Sequence, residues 1–178
     1  MTVTSTDTPQ SAPSLAPLVA LLATDMEQLN ARIVARMTSD VPLVPEVAGH
    51  LIAAGGKRLR PLFTLAGASL AGGSPHAIGL ATAVEFIHSA TLLHDDVIDE
   101  SKLRRGRDTA NALWGNDASV LVGDFLFARA FELMVETGNL SVLGQLSHAS
   151  AQITEGEIKQ MTIAGAPDTP AEDYLDVI

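Results

Sequence analysis

An all-α fold is the prediction of three observations on this 178-residue chain. Hydrophobic residues make up 47% of it and aromatic ones only 4%, a balance rich in Ala and Leu that suits helix-on-helix packing better than a sheet. Apolar side chains recur with a helical period, as at Leu15, Leu18, Val19, Leu22, Met26, Leu29 and Ile33. A third stretch, 75–100, is apolar nearly all round and at 1.5 Å per residue would run about 39 Å, enough to cross a domain.

The length allows one domain, or part of one. A formal net charge of −10 argues against nucleic acid as a partner, because that affinity rests on Lys and Arg neutralising phosphates. Without cysteine there can be no disulfide, thiolate metal site or Cys nucleophile. No run of 18 uncharged apolar residues and no basic segment ahead of an apolar N-terminal core are found, so neither a transmembrane segment nor a signal peptide is expected. Cytoplasmic residence is the expectation.

Residues 1–14, rich in Thr, Ser and Pro, read as a disordered leader, and 15–178 as the folded part. An amphipathic helix over 15–37 follows from the period above. Pro42 and Pro45 bracket a break, and a short helix over 45–54 leads into Gly55-Gly56. The double glycine permits a tight turn or a close approach to a ligand. The cations after it, Lys57, Arg58 and Arg60, either stay solvated or offer charge-assisted hydrogen bonds to an anion. An apolar helix over 62–70 ends at Gly72-Gly73, and Ser74-Pro75 reads as the N-cap and first position of the 75–100 helix. Residues 101–116 read as a loop, with Trp114 as a packing anchor. Helices follow over 117–136, stopped by Gly138, and over 140–163; Asp124 and Arg129 on the first of them read as structural ions. Thr169-Pro170-Ala171-Glu172 has the form of a capping box that starts another helix at Pro170.

The chemistry concentrates at the end of the long helix, where Asp95, Asp96, Asp99 and Glu100 put four carboxylates within six residues. Asp95 and Asp99 are spaced i, i+4 and share a face with His88 two turns earlier. Like charges so placed repel, more so beside Leu92, Val97 and Ile98, and a divalent cation relieves the repulsion. Oxygen-only ligands suit Mg²⁺, which takes one or two carboxylates and completes its shell with water and phosphate. Basic charge is just as local: seven of the eleven Lys and Arg residues fall in 57–60 and 102–107.

At these residues the chain resembles the all-trans polyprenyl diphosphate synthases of long-chain type. The signatures are GGKRLRP at 55–61, IHSATLLHDDVIDES with RRG at 87–106, and GDFLFARA at 123–130. The resemblance implies an antiparallel helical bundle of the isoprenoid synthase type and a Mg²⁺-dependent, chain-elongating prenyltransferase that joins an allylic diphosphate to isopentenyl diphosphate. It implies that Asp95 and Asp99 hold Mg²⁺, and that Asp95, Asp99 and Arg104 are catalytic, with Arg104 on the allylic diphosphate. It also implies that Lys57, Arg60, His88 and Arg105 bind isopentenyl diphosphate. Ala90 and Thr91, five and four positions before the first Asp, are implied to set product length. Their small side chains suggest a medium- or long-chain product. His94 receives no role. A homodimer is implied, and transient membrane contact on product release is expected.

The family carries a second aspartate-rich motif on a later helix, which Asp168, Asp173 and Asp176 do not reproduce. The chain is therefore expected to be the N-terminal half of a longer domain, a bundle incomplete at its C-terminus and inactive alone. Two alternatives stand beside this reading: a non-catalytic partner subunit of such a synthase, and an HD-type metal phosphohydrolase using His94-Asp95 with His50, His76, His88 or His148.

Overall fold

The computed structural model describes residues 14–166, 168–175 and 177, so the expected leader lies almost entirely outside the described residues. Helices α1 (Ala16–Leu21) and α2 (Ala23–Arg36) replace the single helix expected over 15–37. The break is a kink at Leu22, with φ −101° and ψ 15°; the Met26 amide still donates to the Leu22 carbonyl at 2.9 Å. Both pieces turn apolar side chains inward, so periodicity alone does not register it. α3 (Leu43–Ala53) and α4 (Leu59–Leu70) begin two and three residues earlier than expected. Pro45, expected as the first residue of its helix, and Pro61, expected just ahead of its own, both sit inside the first turn, where the missing N–H has no helical partner to lose.

α5 (Ala77–Ile98) is two residues shorter at each end than its expected bounds, and His76, not Ser74, is its N-cap. The Ser74 hydroxyl instead accepts the His76 amide at 3.2 Å in a turn ahead of the helix. The loop expected over 101–116 is ordered: β1 (Leu103–Arg104) pairs antiparallel with β2 (Arg107–Asp108), and α6 (Ala110–Trp114) follows. Arg105 and Gly106, at φ 53° and 77°, form a two-residue turn whose left-handed backbone matches the twist of a hairpin. An arginine in the place where Asn or Gly is usual hides this turn from the sequence.

α7 (Asn116–Val135) and α8 (Leu140–Ile163) follow, the second with the expected bounds. Asn139 caps α8, its side chain accepting the Ser141 and Val142 amides at 2.9 and 3.3 Å. α9 (Ala171–Leu175) starts where a helix is expected, but Thr169 turns its hydroxyl back to the Ala166 carbonyl at 2.7 Å in place of the capping box.

The antiparallel bundle is organised by α5, which packs most extensively on α7, with α4 and α2 on its other sides. Phe86 and Leu93 of α5 meet Leu126 and Leu133 of α7 in one core with Leu29, Ile33 and Leu62, each buried side chain contributing about 1.5 to 3 kcal/mol. By length and composition α5 could cross a bilayer, but half of that stretch is buried inside the bundle, so its apolarity belongs to the core. A close approach tightens the α5–α7 contact: a Cβ on Gly123 would lie 2.3 Å from His94 Nε2, which itself meets the Val120 carbonyl at 3.1 Å.

Candidate active site

Three segments that are far apart in the chain close around a basic cavity of about 510 Å³. The first is 55–60. The backbone turns at Gly55 (φ 78°) and enters α4 through Arg58, a non-glycine residue in the left-handed region at φ 48°. The second is α5, which presents Glu85 and His88, and the third is the hairpin, which presents Arg104 and Arg105. Gly56 is where the first and third touch: a Cβ there would stand 3.0 Å from Arg105 Nη1.

Of the five cations lining this cavity, two are paired. Arg58 binds Glu85, and Arg104 lays its Nε on both Asp96 oxygens at 3.1 Å and its Nη2 on one at 2.9 Å. Lys57, Arg60 and Arg105 have no carboxylate partner among the described residues. The hairpin is fixed by more than Arg104. Asn111 Nδ2 donates to the Asp96 and Ser101 carbonyls at 3.0 and 3.1 Å, the Thr109 hydroxyl to Ser101 O at 2.8 Å, and Arg107 Nη1 to Ala53 O at 3.2 Å. His88 is lowered from its ordinary 6.5 to about 4, by burial first and then by Arg60, Arg104, Arg105 and Arg58. At neutral pH it is an uncharged hydrogen-bonding ring.

A second cavity of about 470 Å³ lies between α5 and α8 and shares Arg60, His88 and Leu92 with the first. Its walls are mostly apolar: Val84, Ile87 and Ile98 on one side, Leu146, Ala149 and Ile153 on the other. Asp95 stands in it with Glu157 of α8. Burial raises the Asp95 carboxyl above its ordinary range, and the charges of Glu157 and Asp99 add to that, with Arg104 opposing. The excess negative charge is what a hard cation would relieve. Among the described residues no three His, Asp or Glu converge as a ready-made metal cage. Asp95 with Asp99 one turn on could hold Mg²⁺, which needs few protein oxygens when water and phosphate supply the rest.

The structure thus brings Lys57, Arg60, His88, Arg104 and Arg105 to one cavity and Asp95 and Thr91 to its neighbour. Asp99 is exposed at the C-cap of α5. Ala90 is 1% exposed in the core and lines neither cavity. Trp114 packs edge-on against His50 at 5.2 Å. Arg129 pairs with Glu132 at 2.7 Å and lies over Phe125, and Asp124 lies 3.5 Å from His94. The HD-type arrangement is not assembled: His94 points to α7, Asp95 into the α8 cavity, and His50 rests against the Asp108 carbonyl at 2.7 Å.

Sequence reasoning missed the partners, Glu85 and Asp96. A signal existed. Eleven residues make three helical turns, so Glu85 and Asp96 share one face of α5, distinct from that of Asp95 and Asp99. Buried acids on an apolar helix require cations.

The family model described as Polyprenyl synthetase matches residues 41–178. The octaprenyl diphosphate synthase of Haemophilus influenzae is 45% identical over 170 residues, 95% of this chain and 52% of that protein. That of Escherichia coli is 47% identical over 160 residues, covering 89% and 49%. Among solved structures, a decaprenyl diphosphate synthase from Rhodobacter capsulatus is similar with a TM-score of 0.90 and 56% identity, over 93% of this chain and 51% of that one. A polyprenyl synthase from Caulobacter crescentus complexed with calcium and isoprenyl diphosphate gives 0.91 and 54%, over 96% and 52%. The chain spans about half the length of these relatives.

Proposed function

This chain belongs to the polyprenyl synthetase family, and we propose that its two joined cavities receive the two substrates of a head-to-tail prenyl transfer. Isopentenyl diphosphate occupies the basic cavity, and an allylic diphosphate lays its hydrocarbon along the apolar one. The observation that carries this is their junction at Arg60, His88 and Leu92, which sets a diphosphate-sized cluster of cations beside a chain-sized apolar slot. Relatives that are octaprenyl and decaprenyl synthases support a long-chain product.

In the reaction the allylic C–O bond breaks heterolytically, the isopentenyl double bond attacks the allylic carbon, and the adduct loses a proton. Lys57, Arg60 and Arg105, without a carboxylate partner among the described residues, hold the isopentenyl diphosphate by charge-assisted hydrogen bonds. Neutral His88 beside them is a hydrogen-bonding partner. Arg104, oriented by Asp96, keeps Nη1 outside that pair for the departing diphosphate. Holding both substrates on one rigid wall supplies part of the barrier by positioning. Mg²⁺, when held by Asp95 and Asp99, supplies Lewis-acid stabilisation of the leaving group. Val84, Ile87 and Ile153 keep water from the electron-deficient carbon.

Product length is assigned to Ala90 and Thr91, Thr91 from the cavity wall and Ala90 from the packing behind it. Exposed Leu121, Phe131 and Val135 of α7 support pairing of two copies. On its own the chain is proposed to bind diphosphates without turnover. Incubation with labelled isopentenyl diphosphate, an allylic primer and Mg²⁺, with parallel calorimetric titration of each diphosphate, tests this. Binding of both without elongation is expected; failure to bind either overturns the reading.

A further inference from the structure

Arg58 is the one cation of the basic cavity to which the proposed reaction gives no task. It is the left-handed N-cap of α4, at φ 48°. Its guanidinium crosses to Glu85 on α5, and its Nη2 also donates to the Ile52 carbonyl of α3 at 3.3 Å. One side chain therefore links three helices at the point where Lys57 and Arg60 leave the backbone on either side of it. We infer that Arg58 and Glu85 form a strut of positioning residues, which sets Lys57 and Arg60 against α5 and does not itself contact the anion. The inference rests on the reading of this cavity as a diphosphate site.

Glu85 is 5% exposed and is the one carboxylate among the residues lining the cavity. Left unpaired, it would be costly to bury and would repel an anion. Arg58 meets both needs and in exchange is held in a backbone conformation that a non-glycine residue keeps only when its surroundings enforce it. Losing Glu85 releases that constraint, and the orientation of Lys57 relative to Arg60 goes with it. The competing role, Arg58 as an anion ligand masked by Glu85, predicts the opposite sign: removing the carboxylate would leave a more positive cavity and a freed ligand.

Inorganic pyrophosphate titrated calorimetrically into the 178-residue chain at constant ionic strength separates the two. Glu85→Gln is expected to weaken binding about tenfold, the cost of one lost charged hydrogen-bonding pair, although it raises the cavity's net charge. Arg58→Lys keeps the charge but cannot reach both Glu85 and Ile52 O, and is expected to weaken binding to a similar degree. The double variant should be no weaker than the weaker single one, since both remove one strut. Tighter or unchanged binding in Glu85→Gln, or additive losses, overturns the inference. If Glu85→Gln does not fold, as judged by circular dichroism, Arg58→Lys decides, and unchanged affinity there overturns it. Lys57→Ala is the control. If the unmodified chain does not bind pyrophosphate, or Lys57→Ala binds it equally well, the diphosphate reading fails and the strut with it. If Lys57→Ala weakens binding and Glu85→Gln does not, only the strut is rejected.

Discussion

The two cavities share three residues and are built in opposite ways. The walls of the basic one are tied together: Arg58 to Glu85, Arg104 to Asp96, and the hairpin to α5 and α3 through Asn111 and Arg107. The apolar one is a gap between α5, with ten buried residues, and α8, with none. The contrast suits the two ligands that the proposed function assigns to them. A diphosphate is bound by donors at set distances, and donors that must first be ordered lose affinity in the ordering. A hydrocarbon needs only apolar surface and room, and a looser wall provides both.

The largest expected effect tests the ties themselves. Asp96→Ala leaves Arg104 beside a site where the carboxylate was only 3% exposed, and should cost about 3 kcal/mol in urea unfolding, the low end for breaking a buried pair because Arg104 is partly solvated. Glu157→Gln on α8 should change stability by less than about 0.5 kcal/mol, as at other surface positions. Equal losses would erase the distinction between the two walls.

Ligand affinity comes next. Lys57→Ala or Arg60→Ala should weaken pyrophosphate binding about tenfold each, as expected for one charge-assisted bond. Thr91→Phe, in the apolar cavity, should leave pyrophosphate affinity unchanged and lower that for farnesyl diphosphate about fivefold, about 1 kcal/mol, by filling space the chain would use. Calorimetry with both ligands reads the crossover; loss of pyrophosphate affinity in Thr91→Phe would show that the cavities are not separable.

The smallest effect is in pH. The His88 pKa is about 4 in the fold against 6.5 ordinarily, so between these values the unfolded chain binds the extra proton. Stability is fully present above pH 6.5 and declines as pH falls toward 4. Asp95, raised above its ordinary 3.8, acts in the opposite sense, losing stability as pH rises through the window just above that value. Thermal melts of the unmodified chain and His88→Gln should coincide above pH 6.5, with a shallower acid decline in the variant. Because His88 is neutral above pH 6.5, pyrophosphate affinity should stay flat between pH 7 and 8; a steep fall there would assign it a charge.

What was legible in the sequence was whatever a local pattern carries. The bounds of α8 were readable from its run between Gly138 and residue 163, and the shared face of His88 and Asp95 because a helix fixes the angle between them, whereas Asp99 falls on the C-cap, exposed and outside both cavities. The pairing of Arg58 with Glu85, 27 residues apart, depends on how α4 crosses α5, which no local period encodes. The hairpin escaped for a different reason: Arg105 holds a turn position where sequence patterns look for Asn or Gly, and each strand is only two residues long.

A helix of 24 residues without one buried side chain also has a consequence for amide hydrogen exchange. Protection depends on the free energy of the smallest opening that exposes an amide, and openings occur in contiguous units. α8 has little to lose by detaching from α7, so its amides should exchange as a separate early unit, whereas those of α5 should wait for global unfolding. Each such opening carries Ile153, Thr154 and Glu157 away from the apolar cavity while Arg104 and Arg58 keep their partners on α5. The apolar cavity would then open on a shorter timescale than the basic one.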